Sequence, residues 1–178
     1  MGSVNIHDKT FNIYLEASKL DAAIGDMGNK INEDYAGKNP LFVGVLNGAF
    51  RFAADLMKYV DIPSEINFVK LASYRGTEST GRVNNLIGLN TDIEGRHVVV
   101  LEDIVDTGHT WEYIHEIFSE RNPASLKIAT LLYKPEPYQS SLPVNYIGFE
   151  IPNLFVVGYG LDYDGQGRNL NNIYQIKS

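Results

Sequence analysis

Apolar residues recur at helical spacing in three stretches of the chain. The first stretch begins at Ser18, which forms a Ser-x-x-Asp pattern with Asp21 that is typical of a helix N-terminus, and it stops at Gly37 and Pro40. Its apolar positions share one helical face: Leu20, Ile24, Met27 and Ile31. Two further stretches cover residues 50–59 and 111–118. The pattern therefore predicts three helices, of which the first is clearly amphipathic.

Between the helices lie short runs in which nearly every residue is apolar and many are β-branched, which favours strands. These runs cover residues 41–46, 66–71, 98–101, 126–133, 144–149, 155–159 and 173–176. Continuous rather than alternating apolar residues indicate strands buried on both faces, as in a parallel sheet covered by helices. The predicted class is α/β. Ligands bind outside the carboxyl ends of the strands in such sheets, so the strand-to-helix loops are the candidate site.

Length and composition indicate one globular domain over residues 1–178. Hydrophobic residues make up 44% and charged residues 21%, values that exclude a disordered or fibrous chain. The formal net charge of −7 has the wrong sign for a protein whose main partner is a nucleic acid. The chain has no cysteine, no N-glycosylation sequon and no apolar run long enough to cross a membrane. A cytoplasmic protein without a membrane partner is expected.

The most informative segment is residues 98–110, where an apolar strand leads into Glu102 and Asp103 and then into a loop that opens a helix. Adjacent like charges are costly to bury, so these acids should face a cation, sugar hydroxyls or water. The loop Asp106-Thr107-Gly108-His109-Thr110 offers backbone N–H groups at a helix N-terminus, which suits a phosphate. The alternative is a capping loop with solvated acids. Neither common nucleotide-binding glycine motif occurs in the chain, which argues against an NTPase or a dinucleotide-dependent oxidoreductase.

The complete string from Glu102 to Thr110 resembles the phosphoribosyl-pyrophosphate-binding signature of the type I phosphoribosyltransferases. Other segments are similar to the hypoxanthine-guanine members of that family, namely residues 46–50, 73–74, 79–81, 131–134, 149–152 and 155–163. The resemblance runs in order from about residue 41 to residue 176. It implies a twisted, mainly parallel sheet with helices on both faces. The core would cover residues 41–145, and residues 1–15 and 146–178 would form a small hood.

The resemblance also implies a reaction. This family transfers ribose 5-phosphate from phosphoribosyl pyrophosphate to N9 of hypoxanthine or guanine, giving IMP or GMP and pyrophosphate, with the help of Mg²⁺. The implied partners are these small molecules, and relatives form homodimers or homotetramers. The transition state resembles an oxocarbenium ion, so the site must stabilise the departing pyrophosphate and accept the proton of the purine.

The family match assigns roles to residues around the loop. Glu102 and Asp103 would bind the ribose hydroxyls, directly or through Mg²⁺, and Asp162 would be a further metal ligand. The 5′-phosphate would be held by Asp106, Thr107, Gly108, His109 and Thr110. Asp106 would also lie near N7 of the purine, either as a general base or as a group that only orients the ring. The alternative is a purely structural role, in which the side chain of Asp106 caps the helix.

A second set of residues would bind the base. Lys134 would contact the 6-oxo group, Phe155 would stack on the ring, Val156 would bind through its backbone, and Asp162 would lie beside the base. Without the resemblance, Lys134 is a solvated lysine at a strand end and Phe155 is an ordinary core residue. The match to the family reverses both interpretations.

A third set would bind the pyrophosphate, and it consists of Asn47, Gly48, Ser73, Tyr74 and Arg168. The polar residues 73–82 would act as a lid. Asn47 departs from the family pattern, because many relatives carry lysine there, in a loop whose backbone binds pyrophosphate across a nonproline cis peptide bond. A cis bond between Leu46 and Asn47 is therefore a hypothesis from the resemblance.

Two other functions compete with this interpretation. A regulator that keeps the fold and binds RNA or DNA would need a basic face, for which a net charge of −7 leaves little material. An enzyme of the same fold could act on another base, and Lys134 and Phe155 are the discriminating positions. Four questions stay open at this stage: the preference among hypoxanthine, guanine and xanthine, the oligomeric state, whether Asn47 replaces the lysine, and which role Asp106 has.

Overall fold

The computed structural model of the chain describes residues 2–72 and 85–177. It contains ten strands: β1 Ser3–Ile6, β2 Lys9–Leu15, β3 Leu41–Leu46, β4 Glu65–Ala72, β5 Asn85–Ile87, β6 His97–Val105, β7 Ser125–Tyr133, β8 Tyr146–Glu150, β9 Val156–Val157 and β10 Ile173–Ile176. The three helices are α1 Ala17–Asp34, α2 Phe50–Leu56 and α3 His109–Ser119. None of these helices is long and apolar enough to cross a membrane.

Six strands form the main sheet, in the order β5-β4-β3-β6-β7-β8. All neighbouring pairs are parallel except β4 and β5, which are antiparallel. The buried core lies on both faces of this sheet, with α1 and α2 on one face and α3 on the other. The four residues at the start of the apolar run of β6, Val98, Val99, Val100 and Leu101, are fully buried. The predicted α/β class and the helices on both faces are therefore confirmed.

A second, antiparallel sheet has the order β1-β2-β10-β9. In it, the N-terminal β2 pairs with the C-terminal β10, so the two ends of the described chain come together as the resemblance implies. The hood differs from the expectation in one respect. β8 pairs with β7 in the main sheet, because its parallel register continues the ladder there. The C-terminal part of the second sheet therefore starts at β9 and not at residue 146.

The start of α1 corrects the capping prediction. The helix begins at Ala17 with Glu16 as the N-cap residue, and Glu16 makes no capping bond with its side chain. Instead, Oδ1 of Asn172 accepts a hydrogen bond of 2.8 Å from the backbone N–H of Ala17. The capping group comes from 155 residues away in the sequence, and Ser18 lies inside the helix. A local pattern could not identify this partner, because tertiary packing supplies it.

The lengths of two elements also differ from the predictions. β6 does not end at Leu101 but continues to Val105, because its backbone stays paired with β7. The acidic side chains of Glu102 and Asp103 point to opposite faces of the strand and do not interrupt this pairing. α2 ends at Leu56 rather than at residue 59. The extension of β6 is important for function, because it places Glu102 and Asp103 within the sheet.

Candidate active site

The residues singled out from the sequence gather at the carboxyl ends of β3, β6 and β7. The connections after β3 and β6 are short and lead directly into α2 and α3. Lys134 follows β7 immediately, and its backbone N–H donates to the carbonyl oxygen of Val105 at the end of β6 (2.9 Å). The candidate site therefore lies at the sheet edge where ligands bind in open α/β folds.

The loop after β6 has the backbone of an anion-binding turn. Gly108 is the N-cap residue of α3 and has a φ angle of 91°, a left-handed conformation that favours glycine. A Cβ atom at Gly108 would also lie 2.7 Å from the ring of Tyr138, which packs behind the loop. The N–H groups in the first turn of α3 have no intrahelical acceptor, as at every helix N-terminus. They are available to a phosphate from the open side.

A cavity of about 260 Å³ lies against this loop, and it is lined by residues of β6, the loop and α3. Two buried polar atoms on its lining residues have no hydrogen-bond partner in the described part of the chain: Oε2 of Glu102 and Nε1 of Trp111. Burial raises the pKa of Glu102 well above its usual value, and the adjacent charge of Asp103 adds to the shift. A carboxylate oxygen without a partner beside a cavity can accept a hydrogen bond from a ligand hydroxyl.

Asp103 lies on the opposite side of β6 from Glu102, because successive side chains of a strand point to opposite faces. It is only 8% exposed, and its Oδ1 accepts a hydrogen bond of 3.0 Å from the N–H of Ile104. Burial raises the pKa of Asp103 to about 6, and the charge of Asp162 adds a smaller increase. Hydrogen bonds from backbone N–H groups to the carboxylate and the positive charge of Arg168 act in the opposite direction.

The loop after β3 packs directly on Asp103. A Cβ atom at Gly48 would overlap Oδ2 of Asp103, and a Cβ atom at Gly160 would overlap the carbonyl oxygen of Gly48. Three separate segments thus meet at one point, and only glycine fits at two of the positions. The peptide bond between Leu46 and Asn47 is cis, which confirms the hypothesis drawn from the resemblance. The side chain of Asn47 is exposed.

Lys134 and Asp106 form an ion pair at the end of β7. Nζ of Lys134 lies 2.9 Å from Oδ2 of Asp106, and it also donates to Oδ1 of Asn153 at 3.3 Å. The side chain of Lys134 is 9% exposed and that of Asp106 is 43% exposed. The lysine is therefore held beneath an accessible carboxylate, next to the phosphate loop, and does not extend into solvent.

Asp162 and Arg168 form the second ion pair of the site. Nη2 of Arg168 lies 2.6 Å from Oδ1 of Asp162, and Oδ2 of Asp162 accepts a bond of 2.7 Å from the N–H of Gly165. Nη1 of Arg168 donates to the carbonyl oxygen of Gly160 (2.7 Å). The guanidinium group of Arg168 is therefore fixed through both of its terminal nitrogens.

The three carboxylates expected to bind metal do not form one cluster. In residues 2–72 and 85–177, the structure brings no three acidic or histidine side chains together at metal-binding distances. Asp103 and Asp162 share one side of β6, whereas Glu102 faces the cavity on the other side. Adjacent strand residues cannot reach one ion from opposite faces.

Phe155 and Val156 occupy the edge of the second sheet. Phe155 is 48% exposed, and it precedes β9 and is not part of it. The carbonyl oxygen of Phe155 accepts a bond from the N–H of Ile176 (3.2 Å), and Val156 is aligned with Gln175. Bonded and non-bonded pairs alternate in antiparallel strands, so the N–H and C=O of Val156 point away from β10. They face outward because β9 is the last strand of this sheet.

Comparison with known proteins places the chain in a family. A family model described as "Phosphoribosyl transferase domain" matches residues 12–164. The chain belongs to the phosphoribosyltransferase family. It is 44% identical over 166 residues to a hypoxanthine-guanine phosphoribosyltransferase of Streptococcus pneumoniae, an alignment that covers 93% of this chain and 92% of the relative.

Solved structures of phosphoribosyltransferases share the fold. A hypoxanthine-guanine phosphoribosyltransferase of Bacillus anthracis, with a HEPES molecule in its active site, is 34% identical and superposes with a TM-score of 0.84, covering 94% of this chain and 97% of its own. A mutant of the hypoxanthine phosphoribosyltransferase of Trypanosoma cruzi, in a ternary substrates complex, is 37% identical with a TM-score of 0.85 and covers 93% and 94%. The chain therefore has the type I phosphoribosyltransferase fold.

Several further residues, which the sequence did not single out, connect the segments of the candidate site. Arg51 of α2 donates to the carbonyl oxygen of Leu170 (3.0 Å) and lies over the ring of Tyr159. The hydroxyl of Tyr159 donates to Asp55, one turn after Arg51. Asn153, which contacts Lys134, was missed as well. These partners are separated by more than 100 residues in the case of α2, and no local pattern marks them.

Ser73 and Tyr74, and with them the predicted lid over residues 73–82, lie outside the described residues.

The burial of Asp103 predicts a pH-dependent cost of folding. Its pKa of about 6 lies above the ordinary 3.8, so its contribution to stability is present in full below about pH 4 and is lost as the pH rises through about 6. The substitution Asp103→Asn should therefore raise the free energy of unfolding at about pH 8, by at most about 3 kcal/mol, and by much less at about pH 4.5. Urea unfolding at both pH values measures this.

The exposed Asp26 of α1 provides the matched control, because Asp26→Asn changes the same charge at the surface. A gain for Asp103→Asn that is the same at both pH values, or that is matched by Asp26→Asn, would contradict the assignment of the cost to burial of Asp103.

Proposed function

We propose that the chain is a purine salvage enzyme that transfers the 5-phosphoribosyl group from phosphoribosyl pyrophosphate to N9 of hypoxanthine or guanine. The products are IMP or GMP and pyrophosphate. The observation that carries the proposal is the ion pair of Lys134 and Asp106 beside the open N-terminus of α3. It puts a cation that can recognise a carbonyl next to backbone groups that can bind a phosphate. The identity of 44% to the pneumococcal hypoxanthine-guanine phosphoribosyltransferase supports it.

In this proposal the 5′-phosphate binds at the loop after β6. The N–H groups of the first turn of α3 donate to its oxygens, and the hydroxyls of Thr107 and Thr110 add further donors. Gly108 keeps the left-handed turn that exposes these N–H groups, because a side chain there would clash with Tyr138 behind the loop. The ribose then extends along the end of β6. There Oε2 of Glu102 has no other partner in the described chain and accepts a bond from a ribose hydroxyl.

The purine lies between Lys134 and the edge of the second sheet. Nζ of Lys134 has three protons, of which two are directed at Asp106 and Asn153, so one remains for the 6-oxo group. The 6-amino group of adenine would turn its N–H donors toward the ammonium group of Lys134, which is also a donor. Adenine is therefore disfavoured. The outward N–H and C=O of Val156 bind the other edge of the base, and the exposed ring of Phe155 stacks on its face. Asp162 lies beside the base.

In this proposal Asp106 acts at N7 of the base. Its Oδ2 accepts a bond from Lys134, and its partly exposed side chain lines the cavity. We assign Asp106 the role of general base, which takes the purine proton as the glycosidic bond forms at N9. The departing pyrophosphate is bound by Arg168 and by the backbone of residues Asn47 and Gly48. The exposed side chain of Asn47 occupies the place of the lysine of relatives in the loop, but it takes over no binding role from that lysine.

Mg²⁺ is the cofactor in this proposal. The protein donors fit it on the condition that substrate phosphates and water supply the rest of its ligands. Two carboxylates, Asp103 and Asp162, lie near each other, and the charge of Asp162 contributes to the raised pKa of Asp103, an unfavourable interaction that a cation would relieve. Mg²⁺ is commonly held by one or two carboxylates together with substrate phosphates and water, so a cluster of three protein ligands is not needed. When bound, Mg²⁺ neutralises charge on the pyrophosphate group.

We further propose that the chain forms a homodimer or homotetramer. Three of its exposed large apolar side chains, Phe50, Ile66 and Phe68, lie on α2 and β4 of the same subunit. An interface between subunits would remove these apolar side chains from water. Sedimentation equilibrium measures the mass directly, and a monomer at all concentrations would exclude this part of the proposal.

The test of the function is turnover of phosphoribosyl pyrophosphate with hypoxanthine, guanine, xanthine and adenine in parallel, in Mg²⁺ and in excess chelator. Hypoxanthine or guanine should be converted in Mg²⁺, adenine should not, and the chelator should abolish conversion. The absence of turnover with all four bases would reject the function. Equal turnover in chelator would reject the role of the metal alone.

Replacing Lys134 should reduce the discrimination between 6-oxo and 6-amino purines. Glutamine in Lys134→Gln offers both a donor and an acceptor, whereas lysine offers only donors. The value of kcat/KM for hypoxanthine should fall by about 10- to 100-fold more than that for adenine. Lys30→Gln changes an exposed lysine of α1 and serves as the control. An equal loss for both bases would remove Lys134 from base recognition.

Replacing Asp106 distinguishes a general base from a group that only orients the ring. The amide in Asp106→Asn keeps the size of the side chain and can still accept a bond from Lys134, but it cannot take a proton. Turnover should fall by about 10²- to 10⁴-fold, with little change in the Kd of phosphoribosyl pyrophosphate. A normal kcat with a raised KM for the purine would assign Asp106 to orientation.

A further inference from the structure

Three aromatic rings meet beside the proposed base site. The ring of Phe155 lies 5.8 Å from that of Tyr163, edge to face, and 6.3 Å from that of Phe11. Tyr163 and Phe11 are themselves 5.9 Å apart. Phe11 is fully buried, whereas Phe155 is half exposed. One side of Phe155 is thus supported by protein while the other side is open.

Tyr163 is attached to the N-terminal hairpin formed by β1 and β2. Its hydroxyl donates a hydrogen bond of 2.9 Å to Oδ1 of Asp8, in the turn of this hairpin. Next to it, the ring of His7 meets the ring of Tyr163 edge to face at 5.7 Å. Nε2 of His7 donates to the carbonyl oxygen of Asp164 (3.3 Å). The turn therefore contacts both Tyr163 and the residue after it.

The same hairpin packs under β9. A small core of its own joins Ile6 and Phe11 of the hairpin to Val157 of β9 and Tyr174 of β10, and Tyr163 packs against it. This core is separate from the two that cover the main sheet. The hairpin therefore supports the base-binding edge from below through Val157 and from the side through Tyr163.

A half-exposed phenylalanine loses rotational freedom when a base stacks on it, and that loss weakens binding. Two neighbouring rings that restrict Phe155 beforehand reduce this loss, and edge-to-face contact adds a preferred orientation. Tyr163 can do this only if its own ring is fixed. In the described part of the chain, the hydroxyl of Tyr163 makes its hydrogen bond to Asp8, a residue 155 positions away in the sequence.

We propose that Tyr163 and Asp8 are positioning residues for the purine: Asp8 holds Tyr163, and Tyr163 holds the ring of Phe155 in the orientation that stacks on the base. This inference rests on the proposed function and adds the N-terminal hairpin to the base site. It concerns purine binding alone, since neither residue contacts the phosphate loop or the Lys134–Asp106 pair.

Four variants test the inference: Tyr163→Phe, Asp8→Ala, Asp8→Asn and the double variant Tyr163→Phe with Asp8→Ala. Tyr163→Phe and Asp8→Ala should each raise the KM for hypoxanthine by about 2- to 5-fold, since the bond is exposed, with kcat and the KM for phosphoribosyl pyrophosphate within about twofold of wild type. The double variant should be no worse than either single variant, because both remove the same bond. Asp8→Asn keeps an acceptor oxygen and should restore most of the wild-type KM.

The control is Asp26→Ala, which removes an exposed carboxylate from α1, away from the hairpin. Tyr163 follows Asp162, so an equal rise in both KM values would show damage to the pyrophosphate side and would overturn the inference. Additive effects in the double variant, or no change in the KM for hypoxanthine, would also overturn it. In those cases the wild-type enzyme still turns over its substrates, whereas a wild type inactive with every base rejects the proposed function instead.

Discussion

The site depends on the contact between the backbone of Gly48 and the buried carboxylate of Asp103. At this point the loop after β3, the end of β6 and the segment around Gly160 approach so closely that two positions have no room for a side chain. The contact places a backbone loop, a carboxylate and the Asp162–Arg168 pair within one small region. It also confines a charge that water would otherwise solvate, which is why the pKa of Asp103 is raised to about 6.

Such an arrangement is costly for a protein without its ligand and favourable once a cationic partner or a hydroxyl is present. Glu102 repeats the principle on the other face of β6, where a buried oxygen has no partner in the described chain. Two adjacent strand residues thus provide two differently oriented carboxylates, one for each side of the sheet end. This division agrees with a substrate that carries both a sugar and a pyrophosphate group.

The second sheet has a positioning role throughout. Asn172 caps α1, Arg51 and Asp55 of α2 hold Tyr159, and β2 pairs with β10. Each contact joins the C-terminal segment to a distant part of the chain. The loop with Asp162 and Arg168 and the edge with Val156 are therefore held against the main sheet by interactions that have no chemical role of their own.

The sequence by itself determined the class of the fold and the place of the site. Buried parallel strands need continuous apolar runs, and the loop after such a run is where Asp106 to Thr110 had to lie. The resemblance added the cis bond before Asn47 and the join between the chain ends. Tertiary structure alone decided which side chains meet: that Lys134 pairs with Asp106 and Asn153, and that Asp8 reaches Tyr163. Periodicity reports the surroundings of each residue along its own element, whereas these contacts depend on the path of the chain between residues far apart in sequence.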